Sequence, residues 1–487
     1  RCGRIAPKPG AARAAERHAG SALDAKLVDP ASGLRVRWRA LLRDGSNYVR
    51  EETTFESDQA IDLASVTLVD LDLAGAWVDG TADGSPLVAG DRFYGFANPI
   101  AISRSIDGHA TATLKRVLPL RGGVATEYSA VLGVVPRGQL RRGFQAYLEN
   151  ERATPFRTFL HYNSWYDIGY FTPYTEAQAL DRINTVGTEL HVKRGVKLDS
   201  FLFDDGWDDR SGSWNFSKDF PHGFVPLREA AAKYGAEPGM WLSPWGGYGP
   251  PRKERLAAAK AGGYEVDDQG IALSGRRYYA LFHDVTLDLL KKYGINQFKL
   301  DGTGSPDKVT PGSEFDSDFA AAIALIGDLR AVKPDLFINL TTGTWPSPFW
   351  LRTADSIWRG GEDHSFAGVG SNRQRWITYR DADTYEHVVR AGALFPMNSL
   401  MLHGMIYARQ AHNLMTDPGN DFTSEVRDYF GTGTQLQEMY ITPSLLSSAN
   451  WDTIAECAKW SRANAGTLVD THWVGGDPQR LEPYGWA

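Results

Sequence analysis

From Arg157 onward the chain repeats one unit. A short apolar run ends on charged, aromatic and glycine residues, and a loop and an amphipathic helix follow. Runs of this kind read as strands buried on both faces of a parallel sheet, with the helices as the crossovers that such strands require. The clearest runs are residues 157–162, 198–203, 238–243, 295–300, 336–340 and 355–358, with weaker ones at 399–402 and 440–445. Helical patterns fill the gaps at 175–192, 225–234, 253–262, 282–293 and 316–332. About eight such units predict an α/β TIM (β/α)8 barrel over residues 155–465 rather than an open doubly wound sheet. No Gly-rich phosphate loop follows any run, which also counts against a nucleotide-binding fold.

The chain before the barrel has a different grammar. Residues 1–26 are rich in Ala, Arg and Gly (Ala11-Ala12-Arg13-Ala14-Ala15) and are expected to be a tail or a short helix. Across residues 27–150, short Val/Leu/Thr runs alternate with Asp44-Gly45, Asp79-Gly80, Asp83-Gly84 and Asp107-Gly108, the pattern of an antiparallel β-sandwich domain. A helix at 140–151 and Pro155 close that domain. Residues 466–487 form a C-terminal segment.

Composition sets outer limits. At 42% hydrophobic, 23% charged and a net charge of −7, the chain offers no basic footprint for nucleic acid. No apolar run reaches about 18 residues, so no membrane-spanning helix is expected. Cys2 and Cys457 lie far apart with no CxxC pairing, which makes a disulfide framework or structural zinc unexpected. The first residue is Arg1 and not Met, so a leader can be missing. A secreted or periplasmic location is compatible with that, although the compartment and the oligomeric state are not readable. Fifteen Trp and twenty Tyr suit stacking on sugar rings, and core filling explains them equally well.

Chemistry in a barrel of this kind belongs at the strand ends. There the chain places His161-Tyr162-Asn163-Ser164-Trp165, Asp204-Asp205-Gly206-Trp207, Ser243-Pro244-Trp245, Lys299-Leu300-Asp301-Gly302, Thr342-Gly343-Thr344-Trp345-Pro346-Ser347 and Trp358-Arg359-Gly360-Gly361-Glu362-Asp363. Two carboxylates facing one pocket are what glycosidic cleavage needs. Asp301 is the candidate nucleophile, and Lys299, two residues earlier on the same strand, shares its face and should favour its charged form. A salt bridge at the barrel mouth is the bland alternative. Asp204 and Asp205 suit paired hydrogen bonds to neighbouring sugar hydroxyls, or else a divalent metal. His222, in Phe220-Pro221-His222-Gly223, is expected to be a loop residue rather than a ligand.

These strand ends resemble clan D of the glycoside hydrolases, the α-galactosidases and α-N-acetylgalactosaminidases. Lys299-Leu300-Asp301-Gly302 is similar to the clan's nucleophile motif, and Phe203-Asp204-Asp205-Gly206-Trp207 to its galactose-binding loop. Trp358-Arg359 with Asp363 is similar to its sugar-binding arginine and acid/base aspartate. The preceding β-domain points to the branch called family thirty-six.

The resemblance implies a retaining exo-glycosidase acting by double displacement on an oligosaccharide or glycoconjugate, with no cofactor or metal. Its two carboxylates would lie about 5–5.5 Å apart. It implies Asp301 as nucleophile and Asp363 as acid/base, with Glu362 the rival. Asp204, Asp205, Lys299 and Arg359 would be sugar ligands, and Trp165, Trp207 and Trp245 pocket walls. Thr344-Trp345-Pro346-Ser347 resembles the Trp-Pro recognition loop of family twenty-seven, whose small flanking residues leave room for a 2-acetamido group. N-acetylgalactosamine or galactosamine is therefore expected to fit, with a plain α-galactosidase or a raffinose-synthase-like galactosyl transferase as alternatives. A non-catalytic sugar-binding barrel is the reading from a different class. The C-terminal β-domain usual in the family is expected to be absent or truncated.

Overall fold

The computed structural model describes residues 2–487. An eight-stranded antiparallel sheet comes first. Its order is Cys2–Ile5, Gly20–Val28, Arg35–Arg43, Tyr48–Glu56, Thr126–Val134, Arg92–Phe96, Leu87–Ala89 and Trp77–Val78. A three-stranded sheet, Ser65–Asp72, His109–Lys115 and Ile102–Ile106, packs against it. Strand alternation turns Val66, Val69, Ala110, Ala112 and Leu114 of the small sheet towards Leu87, Tyr94 and Phe96 of the large one, giving a shared apolar core.

Residues 2–26, the described part of the expected tail, contribute strands instead. Cys2–Ile5 pairs with Gly20–Val28, which pairs in turn with Arg35–Arg43. The signal is weak in sequence because an edge strand need not bury a regular face, and Leu27 and Val28 are exposed. The helix Leu140–Glu151 falls where the sequence places it.

The second half of the chain is built on nine parallel strands. Their order is Leu400–Met401, Ser356–Trp358, Phe337–Leu340, Gln297–Leu300, Glu237–Leu242, Ser200–Phe203, Phe159–Asn163, Leu436–Ile441 and Met405–Tyr407. The two outermost strands are separated by residues 402–404 alone, where His403 and Gly404 take φ of 65° and 59°. One pairs with Ser356–Trp358 and the other with Leu436–Ile441, so the sheet curls until its edges are neighbours along the chain. The last expected run, 440–445, starts earlier, at Leu436. Gln437 and Glu438 hid it, because they are polar residues buried in the interior.

Local signals position these strands. Thr175 and Gln178 form a reciprocal cap that starts the helix Glu176–Val186. Gly294, at φ 66°, ends the helix Arg276–Tyr293 just before the strand that carries Lys299. Residues 466–487 contain a small hairpin, Trp473–Gly475 with Tyr484–Trp486, held by the Tyr484 hydroxyl donating to Asp381 at 2.9 Å. The two halves of the molecule interlock at Phe349, which leaves the parallel-sheet half to join Tyr48, Phe93, Val131 and Phe144 in one apolar cluster.

Candidate active site

At the carboxyl ends of the parallel strands a cavity of about 270 Å³ opens. Asp301 sits on its floor, directly after Gln297–Leu300. Its carboxylate accepts hydrogen bonds on both oxygens. The Trp241 indole N–H donates to Oδ2 at 2.8 Å, and the Tyr248 and Thr342 hydroxyls reach Oδ1 at 3.4 and 3.3 Å. The Thr341 hydroxyl also donates to Oδ1. Donors on both oxygens from the two neighbouring strand ends fix the carboxylate in one orientation. Gly302, at φ 85°, is required beside it, because a Cβ there would collide with the Trp245 indole.

Lys299 Nζ lies 2.9 Å from Asp204 Oδ2 and 3.9 Å from Asp301 Oδ2. The expected pairing of Lys299 with Asp301 is therefore secondary; the lysine bridges the two, closer to Asp204. Burial alone would lower this lysine, but the charges of Asp204, Asp301 and Asp363 outweigh it and hold its ammonium raised. Asp204 is pushed up by burial and pulled back by Lys299. Its backbone N–H donates to Ser164 Oγ at 2.8 Å, which ties it to the first parallel strand's loop.

Asp205 turns the other way, as adjacent residues must. It lines the cavity, yet both its oxygens are engaged by Arg255, a fully buried guanidinium on the helix Gly249–Ala261. Arg255 also grips Asp208 through Nε at 2.9 Å and Nη2 at 2.6 Å. Burial pushes Asp205 up to about 6 against the pull of Arg255. The cations that this aspartate pair attracts are thus Lys299 and Arg255. Among the described residues no group of three or more His, Cys, Asp or Glu is arranged to hold a metal ion.

Across the cavity stand Trp358, Glu362 and Asp363. Asp363 is open to the cavity but ringed by protein, and this burial pushes its carboxyl up to about 6, with Lys299 pulling down and Asp301 pushing further up. Arg359 is not in the cavity. It is fully buried behind Trp358, its guanidinium 4.5 Å from that ring's centroid. Its Nη2 donates to the backbone carbonyls of Glu362 at 2.9 Å and Asp363 at 3.1 Å, so it braces the loop that carries Asp363. Alternation explains the correction: Trp358 faces inward, so the next side chain faces away.

The remaining expected residues divide. Trp165 lines the cavity, beside Phe171, whose ring centroid is 4.9 Å away. Trp207 does not: it is fully buried, donating to the Trp241 carbonyl at 3.0 Å. Trp245 lies behind Gly302 rather than on the wall. The expected recognition loop is also elsewhere. Ser347 is fully buried with Oγ donating to Gly84 O at 3.0 Å, and the Trp345 indole donates to Asp83 O at 2.9 Å. Thr344 folds back on the Thr341 carbonyl at 2.7 Å. Trp345 and Ser347 dock the loop on the antiparallel half, and none of these three residues lines the cavity. Thr342 is the residue of that loop that faces the cavity.

Trp241, Phe171 and Arg255 were not singled out from the sequence, and Tyr248, which closes the strand-end run Ser243-Pro244-Trp245-Gly246-Gly247-Tyr248, was given no role. Trp241 and Tyr248 sit in or near an expected strand end, whereas nothing local marks Phe171 or Arg255. Deeper in the sheet, Glu438 is buried with a carboxyl pushed up to about 7, and it accepts from the Tyr440 hydroxyl at 2.9 Å. His222 is on the surface beside Glu176, 3.3 Å away, as expected of a loop residue.

No protein-family model matches the chain, and no curated protein matches it. Solved structures do. The GH36 α-galactosidase AgaB from Geobacillus stearothermophilus matches with a TM-score of 0.64 at 14% identity, over 99% of this chain and 74% of that one. The α-galactosidase from Lactobacillus brevis gives 0.62 at 11% identity, over 98% and 72%. A variant of AgaA from Geobacillus stearothermophilus, solved in complex with raffinose, gives 0.60 at 14%, over 98% and 74%. At such identities the likeness is one of fold: this chain is folded as GH36 α-galactosidases are.

Proposed function

We propose that the protein is an exo-acting glycoside hydrolase that releases a terminal α-linked galactose-type sugar with retention, by double displacement. One observation carries this: Asp301 and Asp363 line a single small cavity, the first held by donors on both oxygens and the second pushed up to about 6. Two carboxyl groups in environments that differ in this way suit a nucleophile and an acid. In the first step Asp301 attacks the anomeric carbon as its bond to the leaving oxygen breaks, and Asp363 gives that oxygen its proton. Water then attacks the same carbon, Asp363 takes the water's proton, and the bond to Asp301 breaks. Lys299 and Asp204 would bind hydroxyls of the sugar, and Trp165, Phe171 and Trp358 would supply apolar faces. A cavity of about 270 Å³ is at the small end of ligand sites and suits one sugar ring. The frame for this site we take to be a (β/α)8 barrel whose seventh strand is interrupted at His403 and Gly404.

The neighbours of like fold include α-galactosidases, one of them holding raffinose, which supports an oligosaccharide substrate. For the 2-position we favour a plain galactoside. The small residues expected to admit a 2-acetamido group are Thr344 and Ser347, and Ser347 is committed to Gly84. The kcat/KM ratio for p-nitrophenyl α-galactoside over its 2-acetamido analogue tests this; a preference for the analogue would reverse the assignment. Retention is tested by NMR of the first-formed sugar, where initial release of the β-anomer would exclude double displacement. Asp301→Asn should lower kcat by at least about 10³-fold. Product analysis with added sugar acceptors separates hydrolysis from transfer.

A further inference from the structure

A carboxyl that gives its proton to a leaving oxygen must be held at one distance from the bound sugar. The backbone just before Asp363 supplies little restraint, because Gly360 and Gly361 sit at φ of 105° and 64°. Arg359 ties the carbonyls of Glu362 and Asp363 from behind, within their own loop. The residue that follows Asp363 ties it to a different element. His364 Nδ1 lies 2.7 Å from the Tyr166 hydroxyl, 198 residues away in sequence. The two rings meet edge to face, with centroids 5.0 Å apart.

Tyr166 is a fixed post. It is fully buried, and its ring packs edge-on against His403 and Tyr440, each centroid 5.5 Å away. Its carbonyl accepts from the Gln410 N–H at 2.9 Å. Tyr166 does not line the sugar cavity, but Trp165, the residue before it, does. Burial, and then the charge of Asp363, raise its hydroxyl well above the usual tyrosine range, so it stays protonated and can donate. Burial lowers His364 from the usual histidine range, and a neutral imidazole has one ring nitrogen that accepts.

We infer that Tyr166 and His364 are positioning residues for the acid/base Asp363. Their hydrogen bond locks the loop of Asp363 to the loop that carries the Trp165 wall, and so sets the distance from the Asp363 carboxyl to the leaving oxygen. Neither side chain lines the cavity, so both act through Asp363. The inference rests on the double-displacement reading above, in which Asp363 gives the proton.

The test compares kcat/KM on two galactosides that differ in their need for the acid. The leaving sugar of a galactosyl disaccharide needs the proton, whereas p-nitrophenolate leaves without it. Tyr166→Phe keeps the ring and removes the donor. Its kcat/KM on the disaccharide should fall about tenfold, and on p-nitrophenyl α-galactoside far less. His364→Leu should show the same split, and His364→Gln, which keeps an acceptor, should recover part of the disaccharide rate. The double variant Tyr166→Phe/His364→Leu should fall no further than either alone, because each removes the same hydrogen bond. Parallel falls on both substrates, additive losses in the double variant, or an undiminished disaccharide rate in Tyr166→Phe would overturn this inference and leave the proposed function standing. A wild type that cleaves neither galactoside would overturn both.

Discussion

Asp363 and Asp301 share a cavity but not an environment, and that difference makes the acid/base assignment testable. With its carboxyl near 6, Asp363 holds its proton below that pH and loses it above. For a disaccharide substrate, whose leaving oxygen needs the proton, kcat/KM should fall as pH rises through about 6. In Asp363→Asn that limb should vanish, while p-nitrophenyl galactoside, with its good leaving group, keeps more of its rate. An unchanged limb in the variant would move the role to Glu362. The same shift bears on stability. A folded carboxyl above its unfolded value contributes stability that is present at low pH and lost as pH rises towards 6. The melting temperature of Asp363→Asn should therefore exceed that of the wild type by more at pH 7 than at pH 4. Thr341 acts on the other carboxylate. Thr341→Val keeps the shape and removes one donor to Asp301, so kcat should drop about tenfold with KM little changed.

Elements set which of two adjacent side chains is used. The strand Gln297–Leu300 and the loops after its neighbours were legible in sequence, because apolar runs ending in charge and glycine leave few other readings. Their side-chain directions were not. Asp204 meets Lys299 while Asp205 meets Arg255, and Trp358 faces the cavity while Arg359 braces the loop behind it. Arg255 was invisible because its partners are 47 and 50 residues away, on another element. It is also the sharpest stability test at this scale. Arg255→Met would leave Asp205 and Asp208 buried without their cation, at a cost of about 3–5 kcal/mol. Urea unfolding of the variant measures this, and a loss under about 1 kcal/mol would mean that the buried pair is not what holds the loop.

At the scale of the whole molecule, the loop after Phe337–Leu340 joins chemistry to architecture. Thr341 and Thr342 touch Asp301; a few residues on, Trp345 and Ser347 bond to the antiparallel half and Phe349 enters its core. The two halves should therefore unfold together. Phe349→Ala should cost about 3–5 kcal/mol and split the calorimetric transition in two; a single unshifted transition would show that Phe349 is not what couples the halves. The sequence by itself determined the repeating strand–helix order, the sheet-rich first half and the set of strand ends from which a site could be drawn, since these follow from periodicity and turn chemistry within a few residues. It did not determine that Cys2–Ile5 and Gly20–Val28 join the antiparallel sheet, that the Trp-Pro loop docks on the antiparallel half, or which carboxylates meet which cations. Those depend on partners up to hundreds of residues apart in sequence, and only the packed structure brings them within hydrogen-bond range.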